Sequence, residues 1–178
     1  GPPASPATTP LGPLDTGAKQ AIVVDYDTDA VLLEKNADER MPPSSMSKLM
    51  TMYMVFDMLK QGRLKPDQEL PVSERAWRMG GSKMFVQVGN TVPVEALMRG
   101  VIVQSGNDAC VVVAEGLAGT EEAFARQMTE RARQLGMTQS HFANASGWPH
   151  PDHRMSMRDL GLLAEEYSPE HQRLAGNF

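Results

Sequence analysis

Cysteine is nearly missing: Cys110 is the only one in 178 residues, which excludes an intramolecular disulfide. It lies in NDACVVVAEG, residues 107–116, an apolar setting that predicts a buried, inert thiol, because a reactive one needs a cation or base beside it. The redox compartment therefore stays open. Blocks of Lys and Arg are missing too. With 17 basic residues against 22 acidic ones, the composition argues against a nucleic-acid partner or an anionic-membrane surface. No window reaches the roughly 18 to 20 apolar residues of a helical membrane span. The opening GPPASPATTPLGPLD lacks the charged and apolar regions of a signal peptide, so the expectation is a cytosolic chain or one whose signal has been removed. Gly1-Pro2 reads as a protease-cleavage scar and residues 1–16 as a flexible leader outside the fold. Internal repeats are absent.

What is present is enough chain for one domain with a real core. The thirteen methionines are scattered and read as adaptable core filler. Order is expected from Gly17, where two runs rich in Val, Ile and Leu flank Asp27-Thr28-Asp29 and predict a hairpin. A helix is predicted from about Ser44 to Lys60, closed by Gly62 and apolar on nearly every face, hence central to the domain. Residues 64–93 read as an irregular surface excursion with short strand pieces around Gly80-Gly81. Helices follow at VEALMRGVIVQ, from about Asp108 to Gly119, and through EEAFARQMTERARQ. The last of these is amphipathic, with Phe124, Met128, Ala132 and Leu135 on one side and Gly136 as its cap. A final helix opens at Ser156, with Asp159 in capping-box spacing, and runs to about Tyr167. Two strands followed by helices make an unstable sheet, since a lone hairpin needs more strands or a packing partner.

The stretch PPSSMSKLMTMYMVF, residues 42–56, puts a lysine at the head of an apolar helix. Residues three apart share a helix face, so the Ser45 hydroxyl and the Lys48 amine can come within hydrogen-bonding reach. A serine hydroxyl is a poor nucleophile until a base takes its proton, and burial lowers an ammonium's pKa toward that of a base. The first turn also offers free N–H groups and the positive end of the helix dipole. The competing reading is that Ser44 or Ser45 caps the helix while Lys48 snorkels to water. Further on, QSGNDA at 104–109 breaks one helix and starts another, presenting Ser105 and Asn107 at a turn; alone it also reads as a capped helix-helix turn.

S-x-x-K on an apolar helix followed by S-x-N in such a turn resembles the penicillin-recognising serine acyltransferases. The stretches GGSKMFVQVGNTVPVEALMRGVIVQSGNDA and HFANASGWPHPDHRMSMRDLGLLAEEY narrow the likeness to the D-alanyl-D-alanine carboxypeptidases, the low-molecular-mass penicillin-binding proteins. The resemblance implies an α+β, β-lactamase/transpeptidase-like fold over residues 17–178: a helical subdomain plus an N-terminal strand pair of an incomplete antiparallel sheet. It implies Ser45 as acyl-accepting nucleophile, Lys48 as general base, Ser105 as proton relay to the leaving amine, and Asn107 as holder of the substrate peptide. The implied substrate is a peptidoglycan stem peptide ending in D-Ala-D-Ala, cleaved through an acyl-enzyme without metal or organic cofactor outside the cytoplasmic membrane, and β-lactams are expected to acylate the same serine.

One departure stands out. The family's Lys-Thr-Gly motif is absent, since the six lysines precede Gln, Asn, Leu, Gln, Pro and Met. In the family that segment lines the cleft, adds an oxyanion N–H and belongs to the remaining strands. The expectation is an impaired chain with an exposed sheet edge, prone to self-association or to completion by a C-terminal segment. Other classes remain: a non-catalytic peptidoglycan-binding fragment, or a β-lactamase relative, which needs a deacylating glutamate in an omega-type loop, and none of that kind is found between Asn107 and Phe178. His150 and His153 lack a third ligand at helical spacing, and Asp25, Asp27 and Asp29 lack the Gly and closing Glu of a calcium loop. Glu165-Glu166 reads as a solvated helix end.

Overall fold

The structure is a computed structural model, and it describes residues 21–24, 31–35, 40–41 and 47–167. In chain order the elements are β1 (Ala21–Val24), β2 (Val31–Lys35), β3 (Arg40–Met41), α1 (Ser47–Lys60), β4 (Glu69–Pro71), α2 (Glu74–Trp77), β5 (Thr91–Pro93), α3 (Val94–Gln104), α4 (Asn107–Ala118), α5 (Glu121–Gln134), β6 (Met155–Ser156) and α6 (Met157–Glu166). They divide into two units: Gly1–Met41 with Ala132–Ser140 and Arg154–Phe178, and Pro42–Arg131 with His141–His153.

In the first unit β1 and β2 pair antiparallel from Ala21↔Lys35 to Val24↔Val31, with an irregularity at Val23/Val24. This is the expected hairpin, although Asp25, Asp27 and Asp29 fall outside the described residues. A second pairing went unforeseen: β3 meets β6 through Arg40↔Ser156 and Met41↔Met155. Two residues per strand carry too little pattern to read, and their partner lies far along the chain. Ser156 caps α6 as expected, its hydroxyl accepting from Asp159 N–H at 3.1 Å. The Asp159 carboxylate, however, also accepts from Gln139 N–H (2.8 Å) and the Ser140 hydroxyl (2.7 Å), so it fastens the 139–140 segment as well as serving the helix start. Gly136 closes α5 at φ +87°, and Met137 N–H reaches back to Ala132 C=O at 2.9 Å, the Schellman arrangement that needs glycine. Glu165 and Glu166 end α6 half-buried rather than fully solvated.

The second unit is built around α4. Eight consecutive residues, Asn107 to Ala114, are buried, whereas α1 buries Lys48, Met50 to Tyr53 and Val55 and leaves Leu49 exposed. The central helix is therefore α4 rather than the apolar helix near residue 50. Small Ala, Cys, Gly and Val side chains let neighbours approach α4 on every side. At Gly116 a Cβ would sit 2.8 Å from Leu70 Cδ1 of β4. The excursion at 64–93 contains the expected strand pieces, paired antiparallel from Glu69↔Pro93 to Pro71↔Thr91. It also holds α2, a single helical turn that the sequence reading missed. Ser73 caps α2 by accepting from Ala76 N–H (3.1 Å) and donates to Glu115 of α4 at 2.6 Å. The expected face of α5 holds, with Phe124, Met128 and Ala132 buried and Leu135 half-buried. Buried methionines such as Met50, Met52 and Met128 act as core filler. On α3, Ile102 and Val103 stay exposed.

Candidate active site

Lys48 is the second residue of α1 and only 8 % exposed. Burial lowers its amine from the ordinary value near 10.5, and the nearby Cys110 thiol opposes this. That opposition is small in charge terms, because burial pushes Cys110 itself up to about 12 and keeps it neutral. The inert thiol read from the sequence is therefore what the structure contains. Cys110 stands one turn after Asn107 on α4, and α1 packs against that helix. Ser45 lies outside the described residues, and its pairing with Lys48 is a proposal.

Ser105 and Asn107 lie in the same unit as Lys48. Ser105 ends α3 in the left-handed region, φ 51° and ψ 40°, an uncommon conformation for a residue with a Cβ and one that costs of order 1–2 kcal/mol. It persists because both Ser105 N–H and Gly106 N–H close onto Gly100 C=O and α4 starts at once. Asn107 is buried and held twice over: its backbone N–H donates to Ser82 C=O at 2.8 Å and its Nδ2 to Gly80 C=O at 2.9 Å. Two of the sequence candidates are thus fixed on one turn, one by the hydrogen bonds that close onto Gly100 C=O and one by a tether to the Gly80–Ser82 loop.

Three residues that shape this turn escaped the sequence reading. Asp108, read only as a helix cap, is 1 % exposed and gathers three backbone N–H groups: Met84 (3.0 Å) and Ala109 (2.9 Å) on Oδ1, Val86 (3.0 Å) on Oδ2. It pins the 84–86 segment to the head of α4. Gly81, read as loop punctuation, has φ +72°, and a Cβ there would lie 2.6 Å from Asn107 Nδ2. Trp148 covers this glycine pair: Cβ atoms at Gly80 and Gly81 would lie 3.2 Å and 3.3 Å from its ring. An acidic residue directly after S-G-N and a doubled glycine were the available signals; the stretch around Trp148 carried the family likeness, but nothing in it showed the ring's place against the glycine pair.

The loop that carries Trp148 is braced from α1 and α5. Thr51, one turn beyond Lys48, donates to Ala145 C=O at 2.6 Å, and Ala145 N–H donates to Glu121 at 3.2 Å. Glu121 also receives Arg75 at 2.8 Å. Burial pushes the Glu121 carboxyl upward, and the Ala145 bond and Arg75 pull it back. Trp148 N–H is held by Ser146 (3.2 Å) and its C=O by Asn144 (2.9 Å).

His153 belongs to the packing rather than to a metal pair. It is 1 % exposed, its Nδ1 accepts from Ala143 N–H at 3.0 Å, and its ring meets Phe142 edge-on at 5.5 Å. Burial, helped by His141 and His150, pulls its pKa from 6.5 to about 4. As pH falls through 6.5 the unfolded chain takes up a proton that the folded one refuses, so this contribution is full above 6.5 and is lost toward 4. Unfolding free energies from urea titrations at pH 7 and pH 5 are expected to differ by about 2 kcal/mol from this residue. His153→Asn, which keeps an acceptor for Ala143, should remove that part of the slope; an unchanged slope would sink the assignment.

Comparison with known proteins places these features in a family. The D-alanyl-D-alanine carboxypeptidase family profile matches residues 6–174. D-alanyl-D-alanine carboxypeptidase DacF of Bacillus subtilis is 38 % identical over 149 residues, covering 84 % of this chain and 38 % of the relative. DacC of Escherichia coli is 38 % identical over 154 residues, covering 83 % of this chain and 38 % of its own. Among solved structures, the D-alanyl-D-alanine carboxypeptidase DacD of Francisella tularensis superposes with a TM-score of 0.84 at 40 % identity, over 86 % of this chain and 37 % of the other. Penicillin-binding protein 5 of Haemophilus influenzae gives 0.83 at 34 % identity, over 86 % and 46 %. The fold class is thus β-lactamase/transpeptidase-like, as expected, and the chain spans about 38 % of the length of these curated relatives. With a profile match across nearly its whole length and relatives above the thirty-percent level, the chain belongs to the D-alanyl-D-alanine carboxypeptidase family.

Proposed function

We propose that the protein is a serine-type D-Ala-D-Ala carboxypeptidase acting on peptidoglycan stem peptides outside the cytoplasmic membrane. The observation that carries this reading is the depressed amine of Lys48, buried at the head of α1 three residues after Ser45. A neutral Lys48 takes the Ser45 proton as Oγ attacks the carbonyl of the penultimate D-Ala. The tetrahedral oxyanion is stabilised by backbone N–H groups at the helix start. Collapse passes a proton through Ser105 to the leaving D-Ala amine, and water then hydrolyses the acyl-enzyme. Asn107, tethered through Nδ2 to Gly80, turns its remaining amide capacity to the substrate peptide. β-Lactams acylate the same serine.

No step in this sequence calls for a metal or organic cofactor. A Lys-Thr-Gly segment, absent from these 178 residues, would add the carboxylate-binding wall and the second oxyanion donor, supplied by a C-terminal segment or by association with another chain. Intact mass after incubation with benzylpenicillin tests the reading, with Ser45→Ala as control. A stable adduct in wild type that is absent from the variant is the expected result. An adduct on both, or on another residue, would refute Ser45 as the nucleophile.

A further inference from the structure

Glu121, the first residue of α5, is a carboxylate that is only 4 % exposed. One of its oxygens accepts from Ala145 N–H at 3.2 Å, in the loop that leads to Trp148, and the other takes Arg75 of α2 at 2.8 Å. A charge this deep has a cost. Burial is the largest influence on its pKa and holds it above the ordinary 4.5, with Glu122 adding to the rise and the Ala145 bond and Arg75 opposing it. Because the folded-state value lies above the unfolded one, the charged form disfavours folding at neutral pH. A glutamine there would keep an acceptor for Ala145, and Arg75 would still have Glu122 at 2.8 Å. The fold alone gives no reason for the charge.

Both bonds of the carboxylate lead to Asn107. Arg75 sits on α2, whose last turn runs on through Met79 N–H to Ala76 C=O (3.2 Å) and delivers Gly80, the residue whose carbonyl takes the Asn107 amide at 2.9 Å. Ala145 heads the stretch to Trp148, whose ring lies against Gly80 and Gly81. Thr51 adds a third tie by holding Ala145 C=O from α1 at 2.6 Å. One carboxylate thus joins the α2 side of the glycine pair to the Trp148 side.

We propose that Glu121 is a positioning residue for the reaction: by holding Arg75 and Ala145 together, its carboxylate keeps the glycine pair, and through it the Asn107 amide, in register with the substrate peptide. The proposal rests on the D,D-peptidase reading and adds to it a residue outside the turn that holds the substrate. Facing the carboxylate are Arg75 from α2, on which Glu115 of α4 also acts, Cys110 of α4, neutral up to about 12, and Glu122 of its own helix; α1 and the 145 loop bring Thr51 and a peptide N–H. As pH falls, Glu121 takes up a proton before Glu122, which Arg75 holds below 4.5, and the neutral acid loses its charge-assisted grip on Arg75.

The test is benzylpenicillin acylation by the full-length protein, with stoichiometry from intact mass and rates from about pH 5 to pH 8. Glu121→Gln is expected to acylate to full stoichiometry but about tenfold more slowly at pH 7, since a shift of a fraction of an ångström costs less than the hundredfold of a whole one. Its thermal unfolding should come no earlier than that of wild type. The wild-type advantage should fade as pH drops and Glu121 protonates, so that the two profiles, which share the Lys48 limb, converge on the acid side. Glu122→Gln, which removes only the exposed partner of Arg75, should stay within about twofold of wild type. A loss under about twofold in Glu121→Gln, profiles that run parallel at every pH, or slow acylation joined to a lowered melting temperature overturns the positioning role and leaves the enzyme reading intact. If Glu121→Gln does not fold, Arg75→Gln, altered at a half-exposed side chain, carries the same comparison with the same expected loss. A wild-type protein that forms no penicillin adduct overturns both readings.

Discussion

Exchanging Lys48 for methionine should slow benzylpenicillin acylation by roughly a thousandfold, inside the range of a lost general base acting as one unit with its nucleophile. The size follows from the environment of the amine. In the proposed role only the neutral form would accept the Ser45 proton, and burial lowers the Lys48 pKa below the ordinary 10.5, so a larger fraction is neutral at physiological pH than for a solvated lysine. In wild type the acylation rate should therefore rise with pH along a limb whose midpoint lies below 10.5, and that limb should vanish in the variant. Stability should move the other way. Because the folded-state pKa lies below the unfolded one, the charged amine disfavours folding at neutral pH, and a methionine of similar length removes that cost. Thermal unfolding at pH 7 should show Lys48→Met no less stable than wild type while its acylation collapses. A variant that loses both together would make Lys48 a structural residue, and a wild-type midpoint at or above 10.5 would remove the case for a buried base.

What could be read from residue order and what could not divide along sequence separation. The head of α1, the Ser105 turn, Gly136 and Ser156 are local devices, and each announces itself within four or five residues: a serine three before a lysine, an S-G-N between apolar runs, a glycine after an amphipathic stretch. Apart from the single turn of α2, the pieces that were missed have distant partners. Asp108 takes N–H groups from residues 84 and 86, and β3 pairs with β6 across more than a hundred residues. Neither partner carries periodicity that marks it. The ranking of helices by burial failed for a related reason. The absence of a polar face drew attention to the methionine-rich α1, but α4, with its Ala, Cys, Val and Gly, admits close neighbours and takes the centre. The tryptophan beside the site was illegible because its importance depends on two glycines 67 and 68 positions earlier having no Cβ.

That dependence sets the second large effect, on Gly81. Its φ of +72° is strained for any residue with a Cβ, and an added methyl would stand 2.6 Å from Asn107 Nδ2 and 3.3 Å from the Trp148 ring. With the Asn107 backbone held to Ser82 C=O, the clash is relieved by turning the side chain, which breaks the Nδ2 bond to Gly80 C=O. The amide must leave Gly80 C=O, and the group proposed to hold the substrate peptide is displaced by the better part of an ångström. Misplacement on that scale costs about a hundredfold in rate, so acylation efficiency in Gly81→Ala should fall by that order, with a stability loss of about 1–3 kcal/mol from backbone strain. Gly80→Ala is the matched control. Its Cβ would meet only Trp148, at 3.2 Å through Cη2, and that half-exposed ring has solvent to give way into, so a loss of a few-fold is expected. Acylation rates and urea midpoints of the two variants, measured side by side, separate the readings. A large loss confined to Gly81→Ala assigns the glycine to the placement of Asn107, whereas equal losses would mean that the pair serves only the loop's own fold.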